Sequence, residues 1–123
     1  MMYKRQAQHQ ELCVLRVSPE VPDVANVVIT DGNASSDYTR FAPASKGLSI
    51  VDRDLTFAEF WADPDPIQKY RKGSAKCAEV LVPDKVNIEF IMGAYVSCQQ
   101  ALAAFQALGT GISVVINSHL FFR

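Results

Sequence analysis

Glu79 stands in "KCAEVLVPDKV", residues 76–86, inside an apolar run from 78 to 82 that reads as a buried strand. A carboxylate there is costly unless something compensates its charge. Strand alternation puts Cys77, Glu79 and Leu81 on one face and Ala78, Val80 and Val82 on the other. Two chemistries are open. Glu79 is either an edge-strand residue paired with a nearby Lys or Arg, or a cleft acid. A cleft acid would hydrogen-bond a substrate group or face a developing positive charge.

Two further groups carry chemistry. "TDGNAS", residues 30–35, opens a long polar stretch holding Asp31, Asn33 and Thr39. It is either a turn with an Asx cap or a substrate-facing loop. Lys69, Arg71, Lys72 and Lys76 surround Tyr70. They form either a solvated basic face or a set of phosphate contacts with an aromatic for base stacking. Cys13, Cys77 and Cys98 are odd in number and lack CxxC spacing, and His9 and His119 stand far from any such group. No metal site is expected. The cysteines read as reduced, half-buried small hydrophobes in a cytoplasmic protein.

The elements that position these residues must come from one modest chain. With 123 residues it suffices for a single domain, 1–123, with a real core. Lys and Arg number 12 against 13 for Asp and Glu. Total charge therefore demands neither nucleic acid nor a membrane, although a local basic face remains possible. No apolar run approaches the roughly 20 residues of a membrane-spanning helix, and no secretory leader opens the chain.

Alternation predicts strands at 11–17, 25–30, 78–82, 88–96 and 112–117, with further β structure in "HLFF", 119–122. Residues 32–47 read as a loop. Residues 54–63 read as a short amphipathic helix, with Leu55, Ala58 and Trp61 on one face and "DPDP" as its stop. Residues 67–76 read as a basic approach of about one helical turn broken by Gly73. The clearest helix is 97–109, with Ser97 as N-cap and Gly109 closing it. The class is α+β: a mixed, largely antiparallel sheet with a few short helices.

Taken in order, "ITDGNASSDYTRF", "FAEFW", "DPDPIQKYRKGSAKCAEVLVPDKV", "IMGAYVS" and "HLFF" resemble the DarT family over the whole of residues 1–123. "AEVLVPD" after a basic segment is the most specific part. These are the toxins of DarT–DarG toxin–antitoxin pairs, which ADP-ribosylate thymidine in single-stranded DNA using NAD. The resemblance implies part of an ADP-ribosyltransferase fold, with Glu79 as catalytic acid. It also implies NAD as a substrate, and 63–76 as the target-recognition loop. Asp31, Asn33, Thr39, Lys69, Tyr70, Arg71 and Lys72 become candidates for contacting DNA. A macrodomain antitoxin is the implied protein partner.

Two departures follow from the same resemblance. The family's domain begins earlier, with a His- and Asn-bearing segment that holds NAD and an Arg just before a stretch like "MMY", where this chain starts. Arg16, Arg40 and Arg53 do not take that Arg's place, and the cofactor-binding residues are left unassigned. Some members carry a His where this chain has Asn33, which cannot act as a base near neutral pH. The alternative expectation is a catalytically incomplete module that binds nucleic acid or a protein on the same scaffold. A missing half would also expose sheet edges and apolar surface, so a homo-oligomer is expected.

Overall fold

The computed structural model describes residues 8–121. It divides into two compact units, one of residues 1–18 with 87–123 and one of residues 19–86. The expected β structure in "HLFF" is instead a 3₁₀ turn, Ser118–Leu120, with residue 122 outside the described residues.

The first unit is a three-stranded sheet with one helix. Strands β1 (Cys13–Val17), β5 (Ile91–Val96) and β6 (Val114–Ile116) run in the order β1-β5-β6. β1 pairs antiparallel with β5, matching Cys13 to Val96 and Leu15 to Ala94, while β5 and β6 are parallel. A parallel pair needs a crossover, and α4 (Gln99–Gln106) lies between the two strands in the chain. Ala94, Val96, Ala101 and Phe105 form the core, with Leu102, Ile112 and Val114 packed against them. Burying Phe105 alone contributes on the order of 2 kcal/mol. The 88–96 run splits into a 3₁₀ turn at Ile88–Phe90 and then β5.

α4 starts later than the pattern suggests, with Cys98 in the N-cap position. Ser97 is buried, and its hydroxyl pairs with His9 Nδ1 at 2.7 Å and donates to the His9 carbonyl at 3.1 Å. Ser97 thus bonds a residue 88 positions away in sequence, and Cys98 takes the cap position. After the helix, Gly109 adopts φ +64°, the left-handed conformation that ends helices cheaply in glycine.

The second unit carries the sheet β3-β2-β4, antiparallel throughout, with β2 (Val28–Thr30) between β3 (Phe41–Pro43) and β4 (Val80–Leu81). Val21, Val27, Ile29, Thr30 and Ala75 are buried in it. The polar stretch read as loop to residue 47 contains β3 and a short helix, α1 (Ala44–Gly47). A Cβ at Gly47 would lie 2.4 Å from that of Ile29, so only glycine lets α1 reach the central strand.

Two helix readings change. The 54–63 helix shrinks to α2 (Arg53–Thr56), capped by the Asp52 carboxylate on the Leu55 amide. Beyond it the Ala58 carbonyl is taken by the Lys76 ammonium instead of a helical amide. The 67–76 segment is a ten-residue helix, α3 (Pro66–Ala75), that runs through Gly73 without a break. Asp65 caps it by accepting from the Ile67 amide at 3.0 Å, and Pro66 takes the first turn where its missing N–H costs nothing. Gly73 serves close approach: a Cβ there would lie 3.1 Å from the Trp61 ring.

Candidate functional site

The residues that could do chemistry converge inside the 19–86 unit, at the end of β2 where the chain turns into residues 31–40. Antiparallel pairing with β4 places Glu79 opposite Thr30: the Thr30 amide donates to the Glu79 carbonyl at 2.9 Å. In return the Glu79 amide donates to Thr30 Oγ1 at 3.0 Å. Glu79 itself is exposed, and β4 is only two residues long, with Val80 47% exposed, so the run 78–82 is not a buried strand. That removes the cost of burial that the sequence raised.

The carboxylate is held by backbone. Glu79 Oε2 accepts from the Ala34 amide at 2.9 Å. Glu79 is in neither of the ion pairs Arg40–Asp31 and Lys72–Asp63. A carboxylate held by an amide keeps its charge for another partner, whereas a Lys or Arg would neutralise it.

The 31–40 loop is closed on itself. Asp31 accepts from the Arg40 amide at 2.8 Å and from Arg40 Nε at 2.7 Å, tying the two ends. Thr39 Oγ1 donates to the Asn33 carbonyl at 2.6 Å across the middle. Asn33 Oδ1 accepts from the amide and hydroxyl of Ser35, and the Ser36 amide closes a turn on the Asn33 carbonyl. This loop is both an Asx turn and the support of Glu79.

Thr30 joins the two. It is fully buried, and its hydroxyl donates to the Gly32 carbonyl at 2.7 Å while accepting the Glu79 amide. The Glu79 carbonyl lies further off, at 3.4 Å, so the single proton goes to Gly32. Replacing the hydroxyl by a methyl would leave the part-buried Glu79 amide without this partner.

Beside the loop lies a cleft of about 480 Å³ lined by Asn33, Trp61, Lys69, Tyr70, Ser74 and Cys77, among others. Trp61 covers Gly73, and the Tyr70 hydroxyl bonds that of Ser36 at 2.8 Å, anchoring α3 to the loop. Tyr38 meets the Tyr70 ring edge-on at 6.3 Å. Asn33 and Cys77, which line the cleft, are near neighbours in the chain of Ala34 and Glu79. The arrangement suits a planar group against Trp61 and Tyr70 with an anionic group near Lys69.

The sequence candidates therefore separate. Asn33, Lys69 and Tyr70 line the cleft, and Glu79 stands beside the loop that borders it. Asp31 and Thr39 are spent holding the loop. Lys72 pairs with Asp63 at 2.7 Å, and Arg71 is exposed on α3 outside the cleft lining. The Lys72 ammonium, followed by the Asp65 amide, holds the Asp63 carboxyl below its usual pKa. The expected half-buried cysteines differ: Cys13 and Cys77 are exposed, Cys98 is intermediate, and none forms a disulfide. The Ala101 amide, then the Ser97 hydroxyl, hold the Cys98 thiol below its usual pKa. Among the described residues no cluster of three or more His, Cys, Asp or Glu could hold a metal, and no helix is long and apolar enough to cross a membrane.

Thr30, Ser36 and the Ala34 amide were not singled out by the sequence. A threonine at a strand end and a backbone amide carry no signal of their own. The mid-helix glycine does carry one, since a glycine inside a helical pattern is tolerated and serves packing where another group comes close.

Solved structures share this fold. Thermosipho africanus DarTG in complex with ADP-ribose superposes with a TM-score of 0.77 at 24% identity, over 99% of this chain and 33% of that one. Thermus sp. 2.9 DarT in complex with NAD+ gives 0.70 at 22%, over 89% of this chain and 57% of that one. The same Thermus protein in complex with ADP-ribosylated ssDNA gives 0.71 at 22%, covering 89% and 54%. The chain thus spans from a third to just over half of these proteins. Compared directly as sequence, it matches none of the curated proteins. A family profile described as "ssDNA thymidine ADP-ribosyltransferase, DarT" matches residues 1–122, and the chain belongs to that family. The α+β class with small, largely antiparallel sheets and few helices agrees with the sequence reading.

Proposed function

We propose that this chain takes part in ADP-ribosyl transfer from NAD to thymidine in single-stranded DNA, with Glu79 as the acid of the transfer. The carrying observation is the Glu79 carboxylate, held by the Ala34 amide and free of any ion pair among the described residues, beside an aromatic and basic cleft. In the proposed reaction the carboxylate accepts a hydrogen bond from a ribose hydroxyl of NAD. Its charge stabilises the cationic sugar as the bond to nicotinamide breaks and nicotinamide leaves with the electron pair. The ring nitrogen of thymine bonds to the sugar carbon, and its proton passes to water, since Asn33 has no basic atom near neutral pH.

Trp61 and Tyr70 offer the stacking surface for a base, Lys69 and Asn33 its polar contacts, and Arg71 an outer phosphate contact. Asp31, Thr39 and Lys72 act indirectly, by holding the loop and α3. The antitoxin DarG is the proposed protein partner, in keeping with the DarTG likeness. Leu48, Phe57, Phe60 and Ile67 lie mostly exposed, which supports self-association as a second means of covering them.

The test is NAD-dependent labelling of a thymidine-containing oligonucleotide, with calorimetric NAD binding alongside. Glu79→Gln should keep the fold and lower labelling at least ~100-fold, the scale of losing one electrostatic stabiliser. Labelling at the parent rate in Glu79→Gln would remove Glu79 from the reaction. A large loss of stability instead would mean that its role is structural.

A further inference from the structure

We infer that Thr30 is the positioning residue of the Glu79 carboxylate, an inference that rests on the catalytic reading of Glu79. One buried hydroxyl holds both parts of the site. It accepts the Glu79 amide at 3.0 Å and donates to the Gly32 carbonyl at 2.7 Å. Two residues beyond Gly32, the Ala34 amide grips Glu79 Oε2 at 2.9 Å. A closed ring results: Glu79 backbone to Thr30, Thr30 to the Gly32 turn, the turn to Ala34, and Ala34 to the Glu79 side chain.

A glutamate side chain has three rotatable bonds and, on an exposed strand end, costs side-chain entropy to hold in one place. Fastening backbone and carboxylate to the same short segment fixes their separation, so the acid is in place before substrate arrives. Thr30 is fully buried and is not among the residues that line the cleft, so it acts through Glu79 and not on a ligand. Its methyl group packs and its hydroxyl bonds. Serine preserves the second function and valine only the first.

The experiment has two arms. Amide hydrogen exchange by NMR follows Ala34 in the parent, Thr30→Val, Thr30→Ser and Glu79→Ala. The Ala34 amide should be protected in the parent and lose protection in Glu79→Ala. It should exchange at least ~10-fold faster in Thr30→Val, and in Thr30→Ser stay near the parent. NAD-dependent thymidine labelling should show kcat ~100-fold lower in Thr30→Val with KM for NAD and oligonucleotide unchanged, and most of it recovered in Thr30→Ser. A purely packing role for Thr30 would follow the lost methyl and not the lost hydroxyl, leaving Thr30→Val the milder variant.

Ala34→Pro covers the case in which Thr30→Val does not fold. Ala34 is the second residue of the turn closed by the Ser36 amide on the Asn33 carbonyl, a position that suits proline, and the substitution deletes the donor. It should lower kcat about 10-fold at unchanged KM. Parent-level kcat in Ala34→Pro and Thr30→Val, with Glu79→Gln inactive, would overturn the positioning inference and leave Glu79 catalytic. Full activity in Glu79→Gln would overturn the catalytic reading instead. Ala34 protection that is the same in Thr30→Val as in the parent overturns the inference whether or not the chain turns over.

Discussion

Replacing Gly32 by alanine should both destabilise the 19–86 unit and damage the site. A Cβ at this buried position would lie 2.6 Å from Ser74 Oγ, 3.1 Å from the Ser74 carbonyl oxygen and 3.2 Å from Thr39 Oγ1. The nearest of these is about 0.8 Å inside ordinary van der Waals contact. The Ser74 hydroxyl can rotate away, but its carbonyl belongs to α3 and accepts the Cys77 amide at 2.9 Å. Thr39 Oγ1 is fixed on the Asn33 carbonyl. The loop must therefore move off the helix, and overpacking of this kind costs about 1–3 kcal/mol.

Urea unfolding read by Trp61 fluorescence is the assay, because Trp61 is the only tryptophan and lies in this unit, against Gly73. Gly32→Ala should lower the midpoint clearly. Ser74→Ala alone should be nearly neutral, and combined with Gly32→Ala it should restore part of the loss, because it removes the closest clash and leaves the carbonyl contact. Thymidine labelling should fall with Gly32→Ala, since Thr30 bonds the carbonyl of the displaced residue. An unchanged midpoint in Gly32→Ala would refute the close approach of loop and helix. Equal losses with and without Ser74→Ala would place the strain elsewhere.

The Lys72–Asp63 pair makes a pH prediction. The Asp63 carboxyl lies below its ordinary 3.8 in the folded chain, chiefly because Lys72 bonds it, so the pair stabilises the fold above about pH 4. That contribution should disappear as pH falls through the lowered value, and the urea midpoints of the parent and Asp63→Asn should converge there; a gap independent of pH between 6 and 3 would remove the linkage. Self-association predicts more than one chain per particle in light scattering, and Phe60→Ser, at a side chain 90% exposed, should weaken it without lowering the urea midpoint. A monomer at high concentration would refute it.

What the sequence made legible was residue type, and what it hid was geometry supplied by backbone. Glu79, Lys69 and Tyr70 stood out because a carboxylate in an apolar run, and an aromatic among cations, are unusual patterns. Gly73 reads locally as a breaker and hides the α3 helix, whereas its role is the approach of Trp61, twelve residues earlier. β3 and α1 were lost in a polar stretch of small residues, where propensity is weak and the pairing with β2 decides. Ser97 is the better N-cap by propensity, yet its hydroxyl bonds a distant His9 and Cys98 takes the cap position.

The holding of Glu79 extends the same argument. Its carboxylate is gripped by a main-chain amide that every residue except proline can supply, so position 34 has no preferred side chain to betray its function. The hydroxyl behind it is different, because a buried atom that must accept one bond and donate another can be supplied at that place only by threonine or serine. Residue 34 should accordingly tolerate nearly any substitution but proline, and residue 30 nearly none but serine. That contrast is expected of a positioned carboxylate. A solvated glutamate on an edge strand would open position 34 to proline as well, whereas the two backbone bonds of the buried hydroxyl would still restrict position 30.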